Sequence, residues 1–431
     1  TDRPTAPLYR PTNLLPPPYR PTMNRIQTSK IYPWAVVALL WVVALLSYMD
    51  RQMLATMCDA MALDIAELRD KQNFGFLMAC FLYVYAPVSP LAGVLADRIN
   101  RKWLIVGSLG VWSAVTLAMG HATTYEQLCW LRGLMGVSEA IYIPTALSLI
   151  ADYFSGSARS LAIGIHMTGL YVGQAAGGFG ALIASELSWQ QTFHWCGVAG
   201  IVYALVLVAA LREKPRQRPA PSAAQSPFEG IRRSFALIFS NAAFWTVLFF
   251  FAALSAPGWA TKNWLPELFS SSLALPMEQA GPIATITIAF ASLVGVLVGG
   301  PMSDRWVRRN LRGRIYTSAI GLTLMIPALV LMGLGHSMTA AVAAALCFGI
   351  GYGMFDTNNM PILCQFVPAG QRATAYGVMN MVGVLAGAAV TNLLGRWADN
   401  LGLVFALMSA VVLLSLALQL TVLHPESDNM E

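Results

Sequence analysis

The chain has 431 residues and a formal net charge of +6, with 11% charged side chains against 56% from the apolar set AVILMFWYC. Soluble globular chains carry about 25% charged residues, so the polar shell that a soluble multi-domain enzyme needs is missing, and bulk disorder is excluded by the same composition. With a mean hydropathy of +0.58, this is the sequence of an integral membrane protein.

In chain order, the first 22 residues are rich in Pro and Arg, and Met23 is a candidate natural start. Residues 1–30 are expected to form a disordered cytoplasmic tail. A membrane helix needs roughly 20 mostly apolar residues. Twelve such runs follow, at 33–58, 73–96, 103–121, 125–151, 160–185, 190–211, 242–268, 279–302, 315–335, 338–363, 372–395 and 401–423. Their length excludes barrel strands, which alternate over roughly ten residues. The first run is too long for a cleavable signal peptide and leads into polar residues. The expected fold is an all-α membrane protein with twelve transmembrane helices in two pseudo-symmetric six-helix bundles. Its parts are an N-terminal bundle over 31–212, a Pro-, Arg- and Ser-rich cytoplasmic linker over 213–240, a C-terminal bundle over 241–423 and a tail over 424–431.

Lysine and arginine test that count. Most of the 27 fall in the N-terminal tail, the linker and every second loop. Only Arg69, Lys71 and Arg396 fall on the other side, and Arg51, Arg132 and Lys262 lie inside predicted spans. The positive-inside rule then places both termini in the cytoplasm of a cell whose inner (plasma) membrane the chain crosses. Basic residues distributed in this way encode topology and give no reason to expect nucleic acid. The cysteines (Cys58, Cys80, Cys129, Cys196, Cys347, Cys364) are scattered through apolar segments without a CxxC pair. They read as small buried hydrophobes, not as a disulfide or metal framework.

One element repeats. Gly93-Val-Leu-Ala-Asp97-Arg98-Ile-Asn-Arg101-Lys102 follows span 2, and Gly299-Gly-Pro-Met-Ser-Asp304-Arg305-Trp-Val-Arg308-Arg309 follows span 8. A carboxylate at such a helix end can accept from a neighbouring helix N-terminus and pair with nearby arginines. The cluster of Asp97, Arg98, Arg101, Asp304 and Arg305 can thereby lock the cytoplasmic side of the two halves. At this motif the chain resembles the major facilitator superfamily, over essentially all of residues 31–423. The resemblance implies two bundles that rock about a midplane site.

Ionisable residues within spans cost about 2.5–3.5 kcal/mol each on insertion scales and demand a reason. Span 1 carries Tyr48-Met-Asp50-Arg51, and span 4 carries Arg132-Gly-Leu-Met-Gly-Val-Ser-Glu139-Ala. Arg132 and Glu139 share one helix face two turns apart. The four charges can neutralise one another, either as a structural quartet or as part of a substrate or proton pathway. Both elements resemble the anion:cation symporter family, which includes sugar-acid carriers of the hexuronate and galactonate type. So do Asp152-Tyr-Phe154 with Arg159 after span 4, and Trp264-Leu265-Pro266 in span 7. That resemblance implies proton coupling at Asp50 and Glu139, a substrate carboxylate on Arg51, and Arg132 as partner of the acids. It also places Asp152 and Arg159 with the cytoplasmic gate.

Further candidates are Tyr48, Asn380, and one of Tyr83 and Tyr85, with Tyr85 taken as the inward one. Lys262 is either a second anion contact or a snorkelling lysine. Pro257-Gly258 and Pro266 are expected to break span 7 near it. Asp356-Thr-Asn-Asn359 either lines a cavity or glues helices together, and His166 is either a cavity residue or a core histidine. Leu170 and Val384 replace polar residues common in sugar-acid members. The D-R and R-G-x-x-G-x-x-E-A motifs are also similar to the Spinster family of lysolipid and sphingolipid carriers.

The expected activity is secondary transport of a small organic anion, a sugar acid or related carboxylate, with protons, by a monomer in the lipid bilayer. A Spinster-like lipid carrier is the rival. No nucleophile–base pair, metal-ligand spacing or P-loop is recognisable, so neither an enzyme nor a cofactor is expected.

Overall fold

The computed structural model describes residues 31–155, 157–214, 239–240, 242–367 and 372–425. The expected N-terminal tail with Met23, most of the expected linker and C-terminal tail, and the side chains of Asp97 and Arg98 lie outside that description. Among the described residues the regular structure is helical, without strands. The first half contributes α1 (Tyr32–Thr56), α2 (Lys71–Arg98), α3 (Arg101–Met119), α4 (Tyr125–Tyr153), α5 (Ser157–Gly177) and α6 (Trp189–Ala210). The second contributes α7 (Ala242–Leu273), α8 (Met277–Val307), α9 (Gly313–Leu334), α10 (Met338–Phe366), α11 (Arg372–Arg396) and α12 (Leu401–Val422). Eleven of these helical segments are long and apolar enough to cross a membrane. The remaining one, α5, carries Arg159, His166 and Gln174 in a glycine-rich run and packs along α1.

Polar residues set the helix starts. The side chains of Asp70, Asn100, Thr124, Ser188 and Ser337 each accept a backbone N–H two or three residues on, so donors that would be orphaned at α2, α3, α4, α6 and α10 are satisfied. Prolines set the irregularities. Pro144 has no N–H for the Ala140 carbonyl, and α4 pivots there, between Tyr125–Ala140 and Tyr142–Tyr153. The break expected in span 7 is absent, because α7 runs continuously through Pro257 and Pro266. The carbonyl that Pro266 frees is that of Lys262, and the Gln52 side-chain amide donates to it at 2.9 Å. Neighbouring helices in a bundle can re-satisfy such a group without breaking the span.

The two halves repeat one packing scheme. In the first, α1 packs on α5, α2 on α4 and α3 on α6; in the second, α7 packs on α11, α8 on α10 and α9 on α12. The halves meet where α2 packs on α11 and α5 on α8, and these two contacts are also equivalent under the repeat. One end of the assembly, the basic face, carries the turns that hold Arg101, Arg212, Lys214, Arg308 and Arg312.

At the opposite face the halves are sealed by close backbone approach. A Cβ on Gly281 would lie 2.5 Å from the Gly178 carbonyl, and one on Gly178 would overlap the Thr285 side chain. A Cβ on Gly75 would lie 3.0 Å from the Thr391 carbonyl and 3.1 Å from Gly395 Cα. The first contact requires glycine, and at Gly75 a side chain would press its neighbours back by a few tenths of an ångström. Lys71 pairs with Glu267 across the seam at 3.1 Å, and Phe74 meets Trp264 edge-on at 6.2 Å. Trp264 in turn donates to the Thr391 carbonyl at 3.0 Å, so the W-L-P element belongs to the seam.

Gly178→Val is therefore expected to keep the fold but prevent closure of this face. Spin labels at the ends of α5 and α8 would read longer distances than in the parent protein. An unchanged distance distribution would show that the seam does not depend on the missing Cβ.

Candidate functional site

The charge cluster is built by α1 and α4, and one pair dominates it. Glu139 is fully buried, and its Oε2 accepts from Arg51 Nε at 2.6 Å and from Ser47 Oγ at 2.8 Å. Three aromatic rings pack around the Arg51 guanidinium, with centroids at 4.8 Å (Tyr48), 4.5 Å (Phe81) and 4.9 Å (Tyr85). Cation–π contacts of this kind contribute about 0.5–2 kcal/mol each, more where water is displaced. Tyr85 is thus the inward member of the tyrosine pair that the sequence singled out.

Arg132 departs from expectation. It reaches neither acid within ion-pair distance, and Glu139 is held through Oε2 by Arg51 and Ser47 instead. Its Nη1 lies 3.3 Å from Met135 Sδ and its guanidinium sits 5.0 Å from the Phe81 ring. Asp50 is also buried, and its Oδ2 accepts from Thr116 Oγ1 of α3 at 3.2 Å. Glu139 Oε1, Asp50 Oδ1, Arg51 Nη2 and Arg132 Nε all lack a hydrogen-bond partner in the structure. Buried polar groups are normally paired, and each exception invites a functional explanation.

The second half faces this cluster, and the exposure of Asp356 and Tyr376 beside it marks an opening between the bundles. Asp356 lies ten residues from the basic end of α10 yet is solvent-exposed, with Tyr352 one turn earlier on the same helix. Lys262 of α7 points at the Trp259 ring (5.0 Å) and the Tyr352 ring (5.4 Å). It lies within coulombic range of both Asp356 and Arg51, so it faces the opening and does not snorkel outward. Tyr48, Tyr171 and Tyr376 lie within coulombic range of Asp356 as well, which brings α1, α5, α7, α10 and α11 around one space. Asn359 Nδ2 donates to Asp356 Oδ1 at 3.2 Å, and Asn380 Nδ2 donates to Ser89 Oγ of α2 at 3.4 Å. His166 lies elsewhere. It is fully buried, edge-on to Tyr142 at 5.9 Å, and neither ring nitrogen has a partner.

The residues expected to form a gate lie at the basic face, where the described ion pairs join elements of the same half. Arg101 pairs with Asp152 and, at 2.6 Å, with Glu213 just beyond α6. Asp304 accepts from Arg314 at 3.2 Å. Arg159 donates to the Phe154 carbonyl at 3.1 Å and caps the end of α4, while Arg305 is exposed. Sequence reasoning missed Glu213, although a single acid between Arg212 and Lys214 was a signal. It also missed Gln52, Tyr171, Trp259, Tyr352 and Tyr376. The four-residue spacing of Tyr352 and Asp356 could have found one of them; nothing in the local sequence marks the others.

Comparison with known proteins gives a consistent frame. Residues 40–391 match the family described as Major Facilitator Superfamily. The chain is 28% identical to Protein spinster homolog 1 of Xenopus laevis over 385 residues, covering 82% of this chain and 70% of that one. It is 24% identical to the hexuronate transporter of Escherichia coli (strain K12) over 419 residues, covering 91% and 94%. Among solved structures, it resembles a bacterial homologue of the human lysosomal transporter Spinster in an inward-facing, unoccupied conformation. That match has a TM-score of 0.75 at 20% identity and covers 91% of this chain and 97% of the other. The nucleoside transporter NupG gives a TM-score of 0.71 at 14% identity, covering 89% and 99%. Both likenesses that the motifs suggested, to Spinster and to hexuronate carriers, recur.

The Arg51–Glu139 pair makes an asymmetric prediction. Removing one member of a buried pair costs about 3–5 kcal/mol, while replacing both members can be neutral. Arg51→Gln, which strands the fully buried Glu139, should lower thermal stability in nanodiscs. Arg51→Gln combined with Glu139→Gln should recover most of the loss. Additive losses in the double variant would remove the pair from the stability of the N-terminal bundle.

Proposed function

The chain belongs to the Major Facilitator Superfamily, and from that premise we propose that it is a secondary active transporter that carries a small organic anion, a sugar acid or related carboxylate, together with protons. The observation that carries this reading is Arg51. It is held by Glu139 and three aromatic rings at the edge of the opening, with one guanidinium nitrogen left without a partner. A guanidinium offers a carboxylate a planar fork, which gains strength where water is scarce. Lys262 supplies a second cation from the other bundle. The 24% identity to the hexuronate transporter supports the same substrate class.

Charge balance supports the proton. Arg51, Arg132 and Lys262 face Asp50, Glu139 and Asp356, so the fully ionised group is neutral. A monoanion entering it leaves one uncompensated negative charge in a medium of low dielectric. One proton on Asp50 or Glu139, at an oxygen that has no hydrogen-bond partner, restores neutrality. Anion affinity should therefore rise as pH falls.

The excess of Lys and Arg at the basic face supports its assignment as cytoplasmic, with both termini there and the chain a monomer in the inner membrane. On that assignment the glycine seam closes the outer side, and the structure corresponds to the inward-facing half of the cycle. Asp97 and Arg98, together with Arg101, Asp152, Arg159, Asp304 and Arg305, then belong to the cytoplasmic gate that opens and closes in the other half. The second reading, a Spinster-like lysolipid carrier, is favoured by the 28% identity to spinster homolog 1. It predicts that lysolipids, not carboxylates, compete for the opening.

In proteoliposomes, Asp50→Asn and Glu139→Gln are expected to abolish accumulation driven by a pH gradient while retaining counterflow exchange. Full pH-driven accumulation in both variants would exclude these carboxylates from coupling.

A further inference from the structure

The polar groups around the opening are largely spent on the protein itself. Gln52 donates to the Lys262 carbonyl at 2.9 Å, and Asn358 donates to the Met354 carbonyl at 2.8 Å. Asn359 is tied to Asp356 and Asn380 to Ser89. Thr168 accepts from Trp41 Nε1 at 2.9 Å and donates to the Ile165 carbonyl at 2.7 Å. Leu170 and Val384, both buried, add apolar surface and no donor.

The surfaces that remain are aromatic. Tyr48, Tyr171, Trp259, Tyr352 and Tyr376 come from α1, α5, α7, α10 and α11, and all are at least partly exposed. Lys262 lies against two of these rings, and Arg51 against a third.

We propose that the carboxylate carried through this opening bears a planar aromatic ring instead of a polyhydroxyl chain. The inference rests on the organic-anion reading above and narrows it. A polyol taken into such a space must bury several hydroxyls, and each one left without a partner loses its hydration with no hydrogen bond in return. Among those five rings only the four tyrosines carry a hydroxyl, fewer than a polyol with its own hydroxyls and carboxylate calls for. An aromatic ring asks only for a face to stack on and apolar surface to cover, which the tyrosines and Trp259 provide. Its carboxylate then reaches the Arg51 fork from the ring's edge, and Lys262 adds a second positive charge across the opening.

The test uses the full chain in nanodiscs and measures ligand-induced shifts in melting temperature, followed by affinities. The probes are benzoate, 4-hydroxybenzoate and phenylacetate against glucuronate, gluconate and galactonate, with lysophosphatidylcholine as a separate arm. A ligand that binds only the folded protein stabilises it by mass action. The aromatic acids are expected to bind at least tenfold more tightly than the sugar acids. Tyr352→Leu, or Trp259→Leu if the first variant is unstable, should erase that preference while Arg51-dependent binding persists. Sugar acids that bind as tightly as aromatic acids would overturn this inference and leave the organic-anion reading standing. A response to lysophosphatidylcholine alone, or to none of the probes, would overturn both.

Discussion

The buried contact between Arg51 and Glu139 constrains most of what surrounds it. Two charges removed from water are tolerable only when each is held by the other and by further polar or aromatic partners. Ser47 and the rings of Tyr48, Phe81 and Tyr85 provide that company, and they fix α1, α2 and α4 relative to one another. Arg132 has no acid within ion-pair distance, and Asp50 takes its hydroxyl partner from α3. The N-terminal bundle is thus organised around a polar centre that its apolar helices could not specify by themselves.

Prolines do a different task in the two halves. In α4, Pro144 uncouples two helical pieces immediately after Glu139, which lets the piece nearer the basic face take its own angle toward Arg101. In α7, Pro266 leaves the helix uninterrupted and instead frees the Lys262 carbonyl for Gln52 of the other bundle. One residue therefore takes part in both regions. The main chain of Lys262 belongs to the contact between halves and its ammonium to the opening.

Much of the architecture was legible in the residues. Span number follows from apolar run length and from the distribution of Lys and Arg, and the repeat from the shared Gly, Asp and Arg motif, all of them local properties. The charged candidates were legible too, because an ionisable residue inside an apolar run stands out at once. The identity of the partners was not. Spacing on one helix suggested Arg132 with Glu139, but the nearest cation proved to be Arg51 from another helix, and only packing could decide that. The aromatic lining was hidden for a related reason. Tyrosine in a membrane helix is common, and which tyrosines face the opening depends on helix rotation. The interruption expected in α7 failed because a distant amide satisfies the carbonyl that proline frees.

The glycine seam has a mechanical consequence. Where side chains interlock, separating two surfaces means withdrawing each knob from its socket, and the barrier rises with every knob. Along Gly178 with Gly281, and Gly75 with Gly395, main chains lie against one another with little side chain between them. Such surfaces can part by hinging from one edge, like two smooth plates, and can meet again without searching for register. The tightness of the closed face and the ease of reopening it therefore have the same origin, the absence of a Cβ.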